Sequence, residues 1–295
     1  MLAEIVDMGF EYVELSHGIP VSFVPGIFKA LAENLIRVSS CHNFCPLPPH
    51  VTNAAPNIYQ PSSLDTRERD AWLRHTQRSI DTTYLVGANL LVTHMGSIRY
   101  WLSRPERKLK AMSRAMETPE ELQSNAAFVK ARDQLLARNI KKSAKHLKQI
   151  VQSLESIQEF ALEKGVTLCA ENREGLLELP LDGETGAFYE SVADLNMVKL
   201  WHDTGHAKLK ERMGLLDHKA YLDQHHQNIV GFHLHDTTRA GKDHQALGTG
   251  YIDFDLVKRY FREDQVFVIE LSPSLTPEAV IESRNYLIDL IQSTL

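Results

Sequence analysis

"VKLWHDTGH", residues 198–206, is apolar where it begins and polar where it ends, closing on His202, Asp203 and His206. A strand buried on both faces reads as such a short, near-continuous apolar run. Six further stretches have the same profile: "FEYVELS" (10–16), "IRVSSCHNF" (36–44), "ANLLVTHMGS" (88–97), "VTLCAENR" (166–173), "IVGFHLHDT" (229–237) and "VFVIELSPS" (266–274). Helical patterns separate them. One covers 67–86 and stops at Gly87, and one runs from Lys130 to Lys164 with Leu136, Ile140, Leu147, Ile150, Leu154, Ile157 and Ala161 at spacings of three and four. A last one covers 277–293. Strands alternating with helices predict an α/β fold on a parallel sheet, in a single domain over 1–295. Seven strands are one short of a closed eightfold barrel, and "MLAEIVDMGFEYVEL" reads as a helix feeding directly into the first of them. The expected architecture is therefore a (β/α)8 barrel lacking its first strand. Residues 103–129 are charged and helix-prone without a strong apolar stripe, which predicts a helical insertion outside the main core or over its mouth. "PLPPHVTNAAPNIYQPSS" (46–63) reads as a long loop and a lid candidate.

Composition narrows the function. Of 295 residues, 43% are hydrophobic and 24% charged, which places the chain among globular proteins. No apolar run is long enough to span a bilayer, and "MLAEIVDMGF" lacks a basic start and a long apolar stretch, so the expectation is a cytoplasmic chain without an export signal. Cys41, Cys45 and Cys169 are few and odd in number, in keeping with free thiols in a reducing compartment. A net charge of −6 argues against a nucleic-acid partner.

In a parallel barrel the carboxyl ends of the strands converge, so residues distant in sequence become neighbours. His42, His94, Glu171, Asp203 with His206, His233 with His235 and Asp236, and Glu270 all fall at such ends. Alone, His94 after "LLVT" reads more readily as a structural histidine. Glu171 and Glu270 are harder to dismiss, because a carboxylate at the end of a buried strand needs a charge partner, and two facing one mouth repel unless a cation lies between them. Glu171, Asp203, His233 and Glu270 offer three carboxylates and one imidazole, formally −3 against +2, which suits one divalent ion: Mn²⁺, Mg²⁺ or Co²⁺, with Zn²⁺ as a further candidate. Tyr100 and Trp101 would give a ligand a flat apolar face, or would pack beneath the insertion.

Taken in order, "VELS", "THMGS", "AEN", "DTGH", "HLHD" and "IELSP" resemble the xylose isomerase-like TIM-barrel superfamily, with its sugar phosphate isomerases and epimerases, over about residues 1–293. The resemblance implies an eight-stranded barrel with a metal at its mouth, held by Glu171, Asp203, His233 and Glu270. It also implies His206 as a substrate-binding group or one beside the metal, and His235 as a supporting residue. Arg239, six residues after His233, stands where related epimerases hold substrate.

The first expectation for function is a metal-dependent sugar or sugar phosphate isomerase or epimerase. A cation on the carbonyl and adjacent hydroxyl stabilises an enediolate while Glu171 and Glu270 move protons on opposite faces. His94, His206, Arg239 and Trp101 are then the substrate-binding candidates. A polyol dehydratase or lyase uses the same stabilisation. An apurinic endonuclease-like phosphodiesterase is the alternative, since "DHQALGTG" is similar to a segment of its metal cluster, but Lys242 stands where an aspartate is required. An inert binding barrel fits poorly with intact ligands at four strand ends. The expected partner is a small carbohydrate, with no membrane, and a homo-oligomer is the default assembly.

Overall fold

The computed structural model describes residues 1–100 and 105–295. It contains seven strands, β1 (Tyr12–Leu15), β2 (Arg37–His42), β3 (Leu90–Thr93), β4 (Thr167–Glu171), β5 (Val198–Asp203), β6 (Ile229–Leu234) and β7 (Val266–Ile269), placed in one sheet in chain order. Neighbours β1–β2, β2–β3, β3–β4, β5–β6 and β6–β7 pair in parallel. Strand order that follows chain order with helices between is the repeat of a TIM barrel, here with seven strands rather than eight among the described residues. Helices α1 (Leu2–Asp7), α2 (Val24–Ala32), α3 (Thr66–Leu85), α4 (Glu106–Arg114), α5 (Pro119–Ser124), α6 (Ala126–Glu155), α7 (Gln158–Glu163), α8 (Thr185–Ser191), α9 (Thr204–Arg212), α10 (His218–His225), α11 (Phe254–Val257) and α12 (Pro277–Gln292) lie between and after the strands. None of them is long and apolar enough to cross a membrane.

The chain divides into two compact units: residues 1–97 with 145–171 and 187–199, and residues 98–144 with 172–186 and 200–295. In the first unit, α3 starts because the Asp65 carboxylate accepts the Arg67 N–H at 2.9 Å, and it ends before Gly87, whose φ of +79° suits glycine. Between those ends Trp72, Thr76, Ser79, Ile80 and Thr83 are buried at helical spacing. The helix expected over 130–164 is two helices. At the junction Ile157 N–H bonds Leu154 O at 3.2 Å, a tightened turn that buries Ile157 completely before α7 begins.

In the second unit the insertion has its own core of Leu109, Leu122, Phe128, Leu135 and Leu176, with Met213 and Leu215 packed against it. Thr118 and Glu121 form a capping box that starts α5. The insertion and α9 also cap each other. Buried Arg212, in the last turn of α9, donates to the Ser113 hydroxyl at 2.7 Å and carbonyl at 3.2 Å, and to the Met116 carbonyl, all at the C-terminal end of α4. In return Gln123 donates to the Glu211 and Arg212 carbonyls at 3.1 Å each, and Arg132 to the Met213 carbonyl at 2.9 Å. Carbonyls at a helix C-terminus lack intrahelical partners, so each exchange satisfies groups that burial would otherwise penalise.

Candidate functional site

In the first unit the ends of β2, β3 and β4 bring His42, His94 and Glu171 together, their donor atoms within 4.8 Å of one another. His94 Nε2 lies 2.9 Å and His42 Nε2 3.6 Å from Glu171 Oε2, and all three side chains are buried. Each ring is also held at its other nitrogen. His42 Nδ1 donates to the Asn43 carbonyl at 3.0 Å, and His94 Nδ1 lies 2.9 Å from Asn57 Oδ1. The His17 ring, just past β1, packs edge-on against His42 at 4.6 Å between centroids.

In the second unit the motif D-T-G-H is explained residue by residue. Asp203 ends β5 and caps α9, Oδ1 accepting His206 N–H at 2.6 Å. Thr204 Oγ1 donates toward the carbonyls of His233 and His235 at 3.2 and 3.1 Å, which pins the end of β6 to the start of α9. Gly205 leaves room for the His235 ring, onto which a Cβ there would fall. His206 Nδ1 donates to the Asn172 carbonyl at 3.0 Å, with the Arg173 guanidinium 3.4 Å from the same nitrogen. The amide of Asn172 pairs with the backbone of Asp203, donating to its carbonyl at 2.9 Å and accepting its N–H at 2.7 Å.

His235 Nδ1 accepts the His244 N–H at 2.9 Å, so its proton sits on Nε2 and is donated to Asp203, whose oxygens lie 3.1 and 3.2 Å away. His235 therefore orients the carboxylate. His233 Nδ1 lies 3.1 Å from Glu270 Oε2 and 4.0 Å from Asp203 Oδ2. Beneath it the Trp201 ring fills the space that Gly231 leaves open. His244, at φ +52°, stacks on His235 at 4.2 Å and faces Asp243 and Glu270. Burial opposes charge on His244, yet bonds to those two carboxylates raise its pKa to about 10.

Other residues singled out from the sequence are placed as follows. Asp236 gives its oxygens to the N–H groups of Thr237, Gly250 and Ile252 at 2.8–3.0 Å and so builds a turn. His202 faces α10, its Nε2 2.9 Å from His218 Nε2. Arg239 is half exposed and pairs with Glu120 of α5 at 3.2 Å. Tyr100 donates to Asn139 of α6 at 2.9 Å, while Trp101 lies outside the described residues. The three thiols are free and buried. Bonding to Cys41 and burial push the Cys45 thiol up, and burial does the same to Cys169. Arg173 and Asn57 were not anticipated. The polar run "ENR" after β4 was the available signal for the first, and nothing local signals the second.

Asp203, His233 and Glu270 present donor atoms within 4.8 Å of one another. Two ligands of a cation at about 2.0–2.4 Å cannot be much farther apart than that, so the set fits one hard or borderline divalent ion. A buried His/Asp/Glu cluster that could bind a metal is thus present. A family model described as xylose isomerase-like TIM barrel matches residues 2–290. No curated protein matches the chain in sequence. Among solved structures, an L-ribulose 3-epimerase is similar over 99% of this chain and 88% of its own, at 17% identity and a TM-score of 0.67. A D-psicose 3-epimerase from Clostridium cellulolyticum H10, solved with D-tagatose, is similar over 100% and 92% at 13% identity and a TM-score of 0.63. An IolI protein with a bound zinc atom is similar over 100% and 92% at 18% identity and a TM-score of 0.61. At these identities the likeness is one of fold.

Proposed function

Given that the chain belongs to the xylose isomerase-like TIM barrel family, we propose that it is a metal-dependent isomerase or epimerase of a sugar or sugar phosphate. The observation that carries this reading is the convergence of buried Asp203 and His233 with half-buried Glu270 at consecutive strand ends. The epimerases among the similar structures support it. Glu171 is the proposed fourth ligand. It directly precedes Asn172, whose amide is bonded to the Asp203 backbone. A divalent ion, with Mn²⁺, Mg²⁺, Co²⁺ and Zn²⁺ as candidates, would supply positive charge beside a ketose carbonyl and its neighbouring hydroxyl, and so lower the cost of removing the proton between them.

The chain's own residues supply the rest. Glu171 and Glu270 are the proposed pair that takes a proton from carbon and returns one. His235, with its proton fixed on Nε2, keeps the Asp203 carboxylate oriented. His206 donates through Nδ1 to Asn172, which leaves Nε2 to accept from a substrate hydroxyl. His94, Trp101 and Arg239 are proposed as further substrate contacts, Arg239 suiting a hydroxyl or a phosphate.

Two measurements test the reading. Elemental analysis should find about one divalent ion per chain and none in a Glu171→Gln, Glu270→Gln double mutant. Solvent deuterium should enter at carbon in at least one member of a panel of ketoses, free and phosphorylated. Metal retained by the double mutant sinks the ligand set, and no exchange with any ketose sinks the proton-transfer chemistry.

A further inference from the structure

The long loop over 46–63 has no part in the function proposed above, yet it is fastened at both ends. At its near end Cys45 N–H bonds the Ser79 hydroxyl at 3.0 Å, and Leu47 N–H bonds the Ile19 carbonyl at 2.8 Å. At its far end the Gln60 amide oxygen accepts from Ser97 N–H and Oγ at 3.1 and 3.0 Å. Ser153 donates to the Pro61 carbonyl at 3.1 Å, and His146 to the Ser62 carbonyl at 2.8 Å. Between these anchors the chain is exposed or half-buried from Pro49 to Tyr59. Tyr59 holds that span to α3 by stacking on His75, with ring centroids 5.3 Å apart and planes within 5°, and its hydroxyl lies 2.9 Å from His50 Nε2.

Two residues before this stack stands Asn57. It is exposed, but its Oδ1 lies 2.9 Å from Nδ1 of buried His94, and His94 Nε2 lies 2.9 Å from Glu171 Oε2. The imidazole is thus bonded to the loop at Nδ1, and this sets Nε2 against a carboxylate at the end of β4. We propose that Asn57 is a positioning residue, and that the seated loop fixes the plane of His94 and through it the Glu171 carboxylate. Without the Nδ1 bond the ring can turn about its Cβ–Cγ bond, and Nε2 then swings off the carboxylate. With Asn57 in place that rotation is blocked. Loop closure and assembly of the Glu171 group then become one event. This inference rests on the reading of Glu171 as a metal ligand and proton carrier.

Groups that orient a ligating side chain typically change metal affinity 10–100-fold when removed. Asn57 is exposed and the loop has other anchors, so removing its amide should leave global stability close to unchanged. The test is a cobalt(II) titration, with urea unfolding alongside, of the full chain, Asn57→Leu and Asn57→Asp. Two-bond ¹H–¹⁵N spectra of the histidine rings are recorded on the metal-free proteins. Asn57→Leu should bind cobalt about tenfold more weakly, shift the His94 ring signals and unfold at the unaltered urea midpoint. Asn57→Asp keeps an acceptor and should restore both affinity and signals. Unchanged His94 signals in Asn57→Leu overturn the positioning role, as does a loss of affinity that comes only with lost stability. No cobalt binding by the unaltered chain overturns the reading of Glu171, and the ring spectra tell that failure apart from the first.

Discussion

Replacing Gly205 by alanine should cost about 2–3 kcal/mol, although the position lies in the first turn of α9, where alanine is ordinarily the better residue. An added Cβ falls on the His235 ring, so the ring must leave its seat. Leaving it breaks a bond to the Asp203 carboxylate worth about 1.5–3 kcal/mol and one from the His244 N–H worth about 1 kcal/mol. The gain in helix propensity returns about 0.5–1 kcal/mol. Urea unfolding of the metal-free protein measures the sum, and a double-mutant cycle isolates its cause. In a His235→Ala background the ring is gone, and Gly205→Ala should then be neutral or stabilising by up to about 0.5–1 kcal/mol. An equal loss in both backgrounds would refute the argument, since the glycine would then be required for a reason other than the histidine.

Two further outcomes follow from buried groups. Burial holds the His218 pKa down to about 4, and its partner His202 well below the ordinary value, so between pH 6.5 and 4 the unfolded chain takes up protons that the folded one refuses. Stability should be level above pH 7 and lower by about 2 kcal/mol at pH 5 from His218 alone, with a shallower fall in His218→Gln, and equal slopes in the two proteins would refute this. Asn172→Asp keeps the shape of the side chain but turns a carboxylate oxygen onto the Asp203 carbonyl, so an unfolding free energy about 2 kcal/mol lower is expected at neutral pH. Little change on acidification to protonate the new acid would count against that account.

Strand ends were legible where the information is local. Most strands begin as an apolar run of about the length a buried parallel strand requires, and a polar residue at or just past the strand end carries the chemistry, as in Asp203, His94 and Glu270. His202 and Asp203 face opposite ways, as the twofold alternation of an extended chain requires of neighbouring residues. Contacts made across long sequence separations were not legible. Asn57 meets His94 from 37 residues away, and Arg239 meets Glu120 from 119 away. The break between α6 and α7 was hidden for a different reason. Neither glycine nor proline marks it, and burial of Ile157 rather than backbone preference bends the chain there.

The exchange of end-caps between α9 and the insertion has a consequence for descent. Arg212 completes α4, while Gln123 and Arg132 complete α9, so neither partner is a finished structure without the other. A relative that lost the insertion would leave both terminal nitrogens of a buried guanidinium without their acceptors, Nε alone keeping the Arg239 carbonyl, and a helix end without donors. Arginine at 212, glutamine at 123 and arginine at 132 should therefore be gained and lost together across relatives, as one inherited character.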